Sequence, residues 1–398
     1  MLSAVVIADV ARLRAMREEW IDLLERSATN ELTQHPSWLL PWWEVFGARG
    51  DRAIRSLAFY DGAKLVGLVP LLSRPHTYLL GIPFRRLELL ASGEAESDEI
   101  CSDYVGLIAA RGSEDAVVRA FVDALQSGTL GPWDELVMPA MNGESVLVGA
   151  LERALSSRGL LVSLDRSVSC PYVSLPSSWE GYLSSLSKSK RARIRQAERA
   201  LETWAREAPV LTRVRAPDEL EHAKAMLIEL HRERRASGGV FASSPFRAFH
   251  DRVMPEMLAL GALDLGWMSA RGEPLAAFYN FRWNGKVYHY QSGRKLNLPN
   301  GVRVGVSMHA MLIRDAIAAG LREYDFLAGA SQYKLGMSTG TRPLVTLRAA
   351  RPSVVELVRL AAGRAKNLVT RVRSRTAGFG SWSRDNAVPE DRPSKHDF

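Results

Sequence analysis

The residues with the most chemical content lie together late in the chain, in Tyr324-Asp325-Phe326-Leu327-Ala328-Gly329-Ala330-Ser331-Gln332-Tyr333-Lys334. Asp325 falls on an expected interior strand, and Tyr333 and Lys334 follow shortly after it. A carboxylate held among apolar neighbours can take a proton from a nucleophile, and a tyrosine can give one to a leaving group. A lone buried Asp can equally cap or pair structurally, Tyr333 can simply pack between helices, and Lys334 can lie in solvent. Upstream, the strand Tyr288-His289-Tyr290-Gln291-Ser292-Gly293 leads through Pro299-Asn300-Gly301 to a helix start holding Arg303 and Gly305. A helix start offers unpaired N–H groups and about half a positive charge, which suits a phosphate. Gly301 and Gly305 would let a ligand approach the backbone closely. Pro-Asn-Gly is also simply a good turn.

Other chemistries find little support. No Walker loop and no GxGxxG occurs, and Gly305-Val306-Ser307-Met308-His309 lacks the final glycine of a nucleophile elbow. The two cysteines, Cys101 and Cys170, form no CxxC pair, and the eight histidines never fall at metal-ligand spacing. No metal is expected. The formal net charge of +8 fits an anionic partner such as a phosphorylated cofactor, RNA or a membrane surface. A basic run at Lys188, Lys190, Arg191, Arg193, Arg195 and Arg199 is either a solvated helix face or a cradle for an anionic ligand. No aromatics are interleaved with it, which argues against stacking on single-stranded RNA. The N-terminus lacks a basic n-region, and no apolar run approaches the roughly 20 residues of a membrane span. A cytoplasmic protein is expected, with weak contact at the inner face of the membrane.

The positioning elements fall into two halves that echo one another. Leu57 to Gly67 and Gly266 to Ala276 share one pattern, an apolar run, a Gly turn and a second apolar run. Each continues through further strands and a helix to a strand with an acidic residue, at Asp134-Glu135 and at Glu323-Asp325. A duplicated mixed α/β unit follows. The expected divisions are 1–165, 166–350 and a tail of 351–398. Strands are expected at Tyr104 to Ala109, Leu263 to Ser269, Leu275 to Trp283, Val287 to Ser292, Glu323 to Leu327 and Leu344 to Ala349. One long helix is expected to bury Leu183, Leu186, Ile194, Ala197 and Leu201. In the tail, Val354, Leu357, Val358, Ala361, Leu368 and Val372 form an apolar stripe bordered by basic residues. Such a helix over 353–373 either packs on the domain or lies on an anionic membrane, and the last twenty or so residues read as disordered.

The stretch Leu263 through Lys334 resembles the CelD-like cellulose-biosynthesis acetyltransferases of the GNAT superfamily, a family itself similar to the Fem peptidyltransferases. The resemblance rests on Gly272-x-Pro274-x-Ala276-Ala277, Tyr288 to Gly293, Pro299-Asn300-Gly301 and Tyr324-Asp325-Phe326-x-x-Gly329-x-x-x-Tyr333-Lys334. Leu186-Ser187-x-x-x-Arg191-x-x-Ile194-Arg195 and Ser102-Asp103-Tyr104 extend it, so that it covers roughly residues 30–350. It implies tandem GNAT-like domains, each a mostly antiparallel mixed sheet flanked by helices, with acyl-CoA held in the splayed sheet of the second. The pyrophosphate signature Arg/Gln-x-x-Gly-x-Gly/Ala is not clean, because Arg303 follows Gly301.

The implied activity is acyl transfer from acetyl-CoA or another acyl-CoA to an amine, on a cell-envelope or exopolysaccharide sugar or its precursor. Asp325 is then the base, directly or through water, and Tyr333 the acid. Tyr290, Gln291, Ser292, Pro299, Asn300, Gly301, Arg303 and Gly305 would hold the donor, and Asp103, Lys334, Arg191 and Arg195 the acceptor. Two rivals stand beside it: a Fem-like peptidyltransferase using aminoacyl-tRNA, and a non-catalytic GNAT scaffold in polysaccharide synthesis.

Overall fold

A computed structural model describes residues 2–78, 81–234 and 239–362. The N-terminal unit opens with β1 (Ser3–Ile7), α1 (Val10–Ala15), α2 (Arg17–Arg26) and α3 (Pro36–Phe46). Then come β2 (Ala53–Ile54), β3 (Ser56–Asp61), β4 (Lys64–Val69), β5 (Leu71–Tyr78) and β6 (Ile82–Leu89). After a long loop follow β7 (Ile108–Ala109), α4 (Glu114–Gln126), β8 (Glu135–Asn142) and α5 (Val146–Ser157). Strands β1, β3, β4 and β7 form one antiparallel sheet in that order.

The second unit starts within β9 (Leu161–Ser174) and continues with α6 (Trp179–Ser185), α7 (Lys188–Ala205), β10 (Val210–Arg213), α8 (Leu220–Arg234) and α9 (Ser244–Ala259). Three antiparallel strands follow, β11 (Leu263–Ala270), β12 (Glu273–Trp283) and β13 (Lys286–Arg294). They lead to α10 (Val304–Ala318), β14 (Glu323–Asp325), α11 (Gln332–Met337) and β15 (Gly340–Ala350). A helix at 354–362, α12, ends the described chain. The turn between β12 and β13 holds Asn284 and Gly285 at φ 45° and 71°, the left-handed pair that a tight hairpin demands.

The larger sheet has eleven strands in the order β10-β11-β12-β13-β14-β9-β15-β8-β6-β5-β2. Its centre joins the halves. Strand β9 runs unbroken past residue 165: one edge pairs with β15, from Leu161 opposite Ala350 to Tyr172 opposite Gly340, and the other edge of its end pairs with β14, Tyr172 opposite Asp325. The far end of β15 pairs in turn with β8. The last strand of the second unit thereby completes the sheet of the first. Aromatic packing adds to the junction, where Trp38 on α3 meets Phe249, Phe281 and Tyr290 at ring separations of 5.0, 5.5 and 5.7 Å.

Local chemistry explains where elements differ from expectation. The long helix is two, because Ser187 caps a fresh start by accepting from the Lys190 N–H. The apolar stripe at Leu183, Leu186, Ile194, Ala197 and Leu201 is buried all the same. The strand expected from Tyr104 shrinks to Ile108–Ala109, since Tyr104 itself adopts φ 69°, a conformation that no strand residue takes. The tail stripe is described only as far as residue 362. Leu368, Val372 and the disorder expected beyond them lie outside the described residues.

Candidate functional site

The site is a wedge between two parallel strands. Strands β13 and β14 pair only over Lys286–Tyr288 with Glu323–Asp325. Beyond that point β13 continues to Arg294, whereas β14 stops and Leu327 turns the chain away at φ 56°. Tyr290, Gln291 and Ser292 therefore line the open side of β13, and Asp325 stands at the apex. The loop 295–303 leads from the mouth of the wedge to α10. There Pro299, Asn300, Gly301 and Arg303 are exposed, and Gly305 lies in the first turn of the helix.

Asp325 is fully buried and belongs to both units. Tyr104 of the N-terminal unit donates its hydroxyl to Asp325 Oδ2 at 2.8 Å, and the Leu327 N–H donates to Oδ1 at 2.7 Å. Arg342 on β15 approaches Oδ2 at 3.4 Å while its other hydrogen bonds go to Glu323. Burial pushes the Asp325 carboxyl up to about 6, against the pull of Arg342 and with the Glu323 charge adding to the rise. A carboxyl poised there can accept a proton near neutral pH.

The loop Ile100 to Asp103 closes one face of the wedge. The Tyr290 hydroxyl donates to the Ile100 carbonyl at 2.6 Å, and Asp103 Oδ2 accepts from the Ala328 N–H at 2.7 Å. The Lys334 ammonium donates to the Ala328 carbonyl at 2.8 Å. Burial raises Asp103 to about 7, with the Asp325 charge adding to it, and burial lowers Lys334. Both groups are thus drawn toward their neutral forms. Asp103, Asp325 and Lys334, expected from separate parts of the sequence, do come together.

Tyr333 does not join them. Side chains alternate along β14, so Asp325 faces Tyr104 while Tyr324 and Phe326 face α10. Tyr333 packs on that second face, stacked on His309 at 5.6 Å and edge-on to Phe326 at 6.5 Å. His309 in turn contacts the Tyr324 hydroxyl at 3.0 Å. Arg191 and Arg195 lie on α7, Arg195 exposed and Arg191 partly so. Lys190 of the same helix donates to the Ser338 carbonyl just after α11 at 3.2 Å.

On the other side of Tyr104 a cleft of about 230 Å³ opens in the N-terminal unit, lined by Thr29, Glu31, Gln34, Tyr104, Asn142 and Glu144 among others. Gln34 Oε1 and Thr29 Oγ1 are buried there without a hydrogen-bond partner. Glu31 is tied to Lys286 at 2.9 Å and to the Tyr288 hydroxyl, and Glu144 lies 3.7 Å from Arg342. A chain of charges thus runs from the cleft to Asp325. Reasoning from sequence missed Tyr104, Glu31, Glu144 and Arg342 as members of the site. Tyr104 could have been found beside Asp103 in the Ser-Asp-Tyr motif, whereas the others carry no local signal.

Among the described residues no group of His, Cys, Asp and Glu could hold a metal ion, and no helix is long and apolar enough to cross a membrane. Residues 188–335, from α7 into α11, match the family model described as an acetyltransferase (GNAT) domain. No curated protein matches the chain in sequence. In fold the chain is similar to FemX, at 10% identity and a TM-score of 0.56, over 87% of this chain and 96% of that one. It is also similar to a conserved protein of unknown function from Bacteroides thetaiotaomicron, at 13% identity and 0.52, over 87% of this chain and all of the other. At such identities the likeness concerns the fold alone. That fold is a mixed α/β one, its sheets flanked by helices, and residues 188–335 are the part that matches the GNAT acetyltransferase domain model.

Proposed function

We propose that this protein transfers an acyl group from acyl-CoA, acetyl-CoA first among candidates, to an amine. One observation carries the reading: the pairing of β13 and β14 ends at Asp325, leaving a wedge with a titratable carboxyl at its apex. The pantetheine arm runs along Tyr290 to Ser292, and the phosphates sit by loop 295–303 at the start of α10, where N–H groups and the helix dipole favour negative charge. Backbone N–H groups of β13 that β14 leaves unpaired hold the carbonyl oxygen as charge develops on it.

A primary amine is almost wholly protonated at neutral pH and must lose a proton to attack. Asp325 takes that proton, directly or across one water, as the N–C bond forms. The C–S bond then breaks and Tyr333 protonates the departing thiolate. Asp325 and Tyr333 lie on opposite faces of β14, so this reaction requires the thioester to lie between them and meet each from its own side. The cleft beside Tyr104 admits the acceptor, and its oxygen-rich wall of Glu144, Gln34, Thr29 and Asn142 suits an amine that also carries hydroxyls. The resemblance to the CelD-like family favours an amino sugar of the cell envelope or an exopolysaccharide.

Release of free thiol from acetyl-CoA, followed over a panel of amino sugars, tests the reading. Asp325→Asn is expected to lower turnover by about 10²–10⁴-fold, the range for losing a general base, with donor affinity little changed. Turnover close to that of the wild type refutes Asp325 as the base. Transfer that needs aminoacyl-tRNA and is abolished by ribonuclease would establish the Fem-like reaction instead, and binding of neither donor would leave a scaffold.

A further inference from the structure

Helix α12 is turned inside out. Along its first turns, 354–358, the acidic residue faces the protein and the aliphatic ones face away. Glu356 is 1% exposed, whereas Val354, Val355, Leu357 and Val358 are 76%, 44%, 63% and 49% exposed. At 100° per residue, Val354, Leu357 and Val358 share one face and Glu356 lies opposite.

The inward face is fixed by charge. Arg348 on β15 grips Glu356 with two hydrogen bonds of 2.8 and 2.7 Å, and Arg359 adds two more of 2.8 Å. Arg348 also donates to Glu135 on β8 at 2.7 Å, and Arg86 on β6 donates to the same carboxylate at 2.7 Å. Burial works to raise Glu356, yet Arg359 and Arg348 bring it down to about 2. It therefore stays ionised and bound, and the helix is anchored to the sheet with its apolar face held outward.

We propose that this face docks on an anionic phospholipid surface. The apolar residues are aliphatic, as shallow insertion among acyl chains requires, and the surrounding charge is complementary to such a surface. Arg351 is exposed at the helix start. The sequence that follows the helix carries Arg364, Lys366, Arg371, Arg373 and Arg375 with no acidic residue among them. The lone acid, Glu356, is neutralised internally. Each basic residue near an anionic surface strengthens attachment roughly fivefold, within a Debye length. Docking here is independent of the transfer chemistry and would bring the second unit to lipid-borne substrates.

The test is co-sedimentation of the full chain with vesicles of phosphatidylcholine alone and of phosphatidylcholine with phosphatidylglycerol. The wild type is expected to pellet with the anionic vesicles only, and less as salt rises. A triple variant, Val354→Ser with Leu357→Ser and Val358→Ser, should lose at least about tenfold in partitioning. Its melting temperature should stay unchanged, because these side chains touch little of the protein. Failure of the wild type to bind, or equal binding by the variant, overturns the proposal. So does light scattering that shows a wild-type dimer made monomeric by the variant, which would assign the face to a second copy of this chain.

Discussion

Replacing Asp103 by Asn should make the protein gain on the wild type as pH rises. Asp103 is 4% exposed and pushed up to about 7 by burial, with the Asp325 charge adding and the Ala328 N–H opposing. In the unfolded chain the same group titrates near 3.9. Below that pH both states keep the proton and nothing differs. Between about 3.9 and 7 the unfolded chain releases it more readily, so the native state of the wild type loses stability throughout that window. A difference of about three in pKa, at 1.36 kcal/mol each, sets a ceiling of about 4 kcal/mol, which local relaxation and water entry reduce to between about 2 and 4. Asn keeps a carbonyl oxygen for the Ala328 N–H but does not titrate. Urea unfolding followed by tryptophan fluorescence at pH 4.5, 6 and 8 measures the gap between the two proteins. The account expects the gap to widen by about 2–4 kcal/mol in favour of the variant over that range. A constant offset would refute the buried, proton-holding Asp103 and with it the closed loop over the wedge.

Three further outcomes follow from the same geometry. Tyr333→Phe should lower turnover with acetyl-CoA by about 10–10²-fold, as for loss of a general acid, and a variant as fast as wild type would return Tyr333 to packing. Arg191→Glu with Arg195→Glu should weaken donor or acceptor binding at low salt, less so at moderate salt, with melting nearly unchanged; unchanged binding of every ligand makes α7 a solvated face. Arg348→Met leaves Glu135 and Glu356 without their shared cation and should destabilise by about 3–5 kcal/mol, read by denaturant titration, and a loss under about 1 kcal/mol would show that the buried ion network does not hold α12.

Periodicity and turn chemistry made the second unit legible. Strands β11 to β13 are apolar runs separated by Gly turns, and the helix after Pro299-Asn300-Gly301 starts where its signals place it. What was hidden depends on distant pairing. Nothing near Arg342 says that β15 will lie beside β9 and carry a guanidinium to Asp325. Tyr104 looked like the start of a strand, and only a tertiary contact with the Ala140 carbonyl and the turn at φ 69° aim its ring at the other unit. Asp325 and Tyr333 sit close in sequence, yet the alternation of β14 puts them on opposite faces. The hairpin β5–β6 is hidden because charged and polar residues occupy it, half-buried at Arg74 and His76, exposed at Arg85 and buried at Arg86, and they mask the apolar alternation.

The central claim is that the wedge at Asp325 and the start of α10 hold an acyl-CoA. Isothermal titration of acetyl-CoA into the intact protein, beside Gly305→Glu, tests it most directly. A Cβ at Gly305 would meet nothing closer than the Arg294 side chain at 3.5 Å, and a carboxylate in the first turn favours the helix, so the variant should fold as well as the wild type. It also puts negative charge where the phosphates would lie. The account predicts one acetyl-CoA bound per chain and at least about tenfold weaker binding by the variant at unchanged melting temperature. Equal binding by the two proteins, or no binding of acetyl-CoA by the wild type, would contradict it.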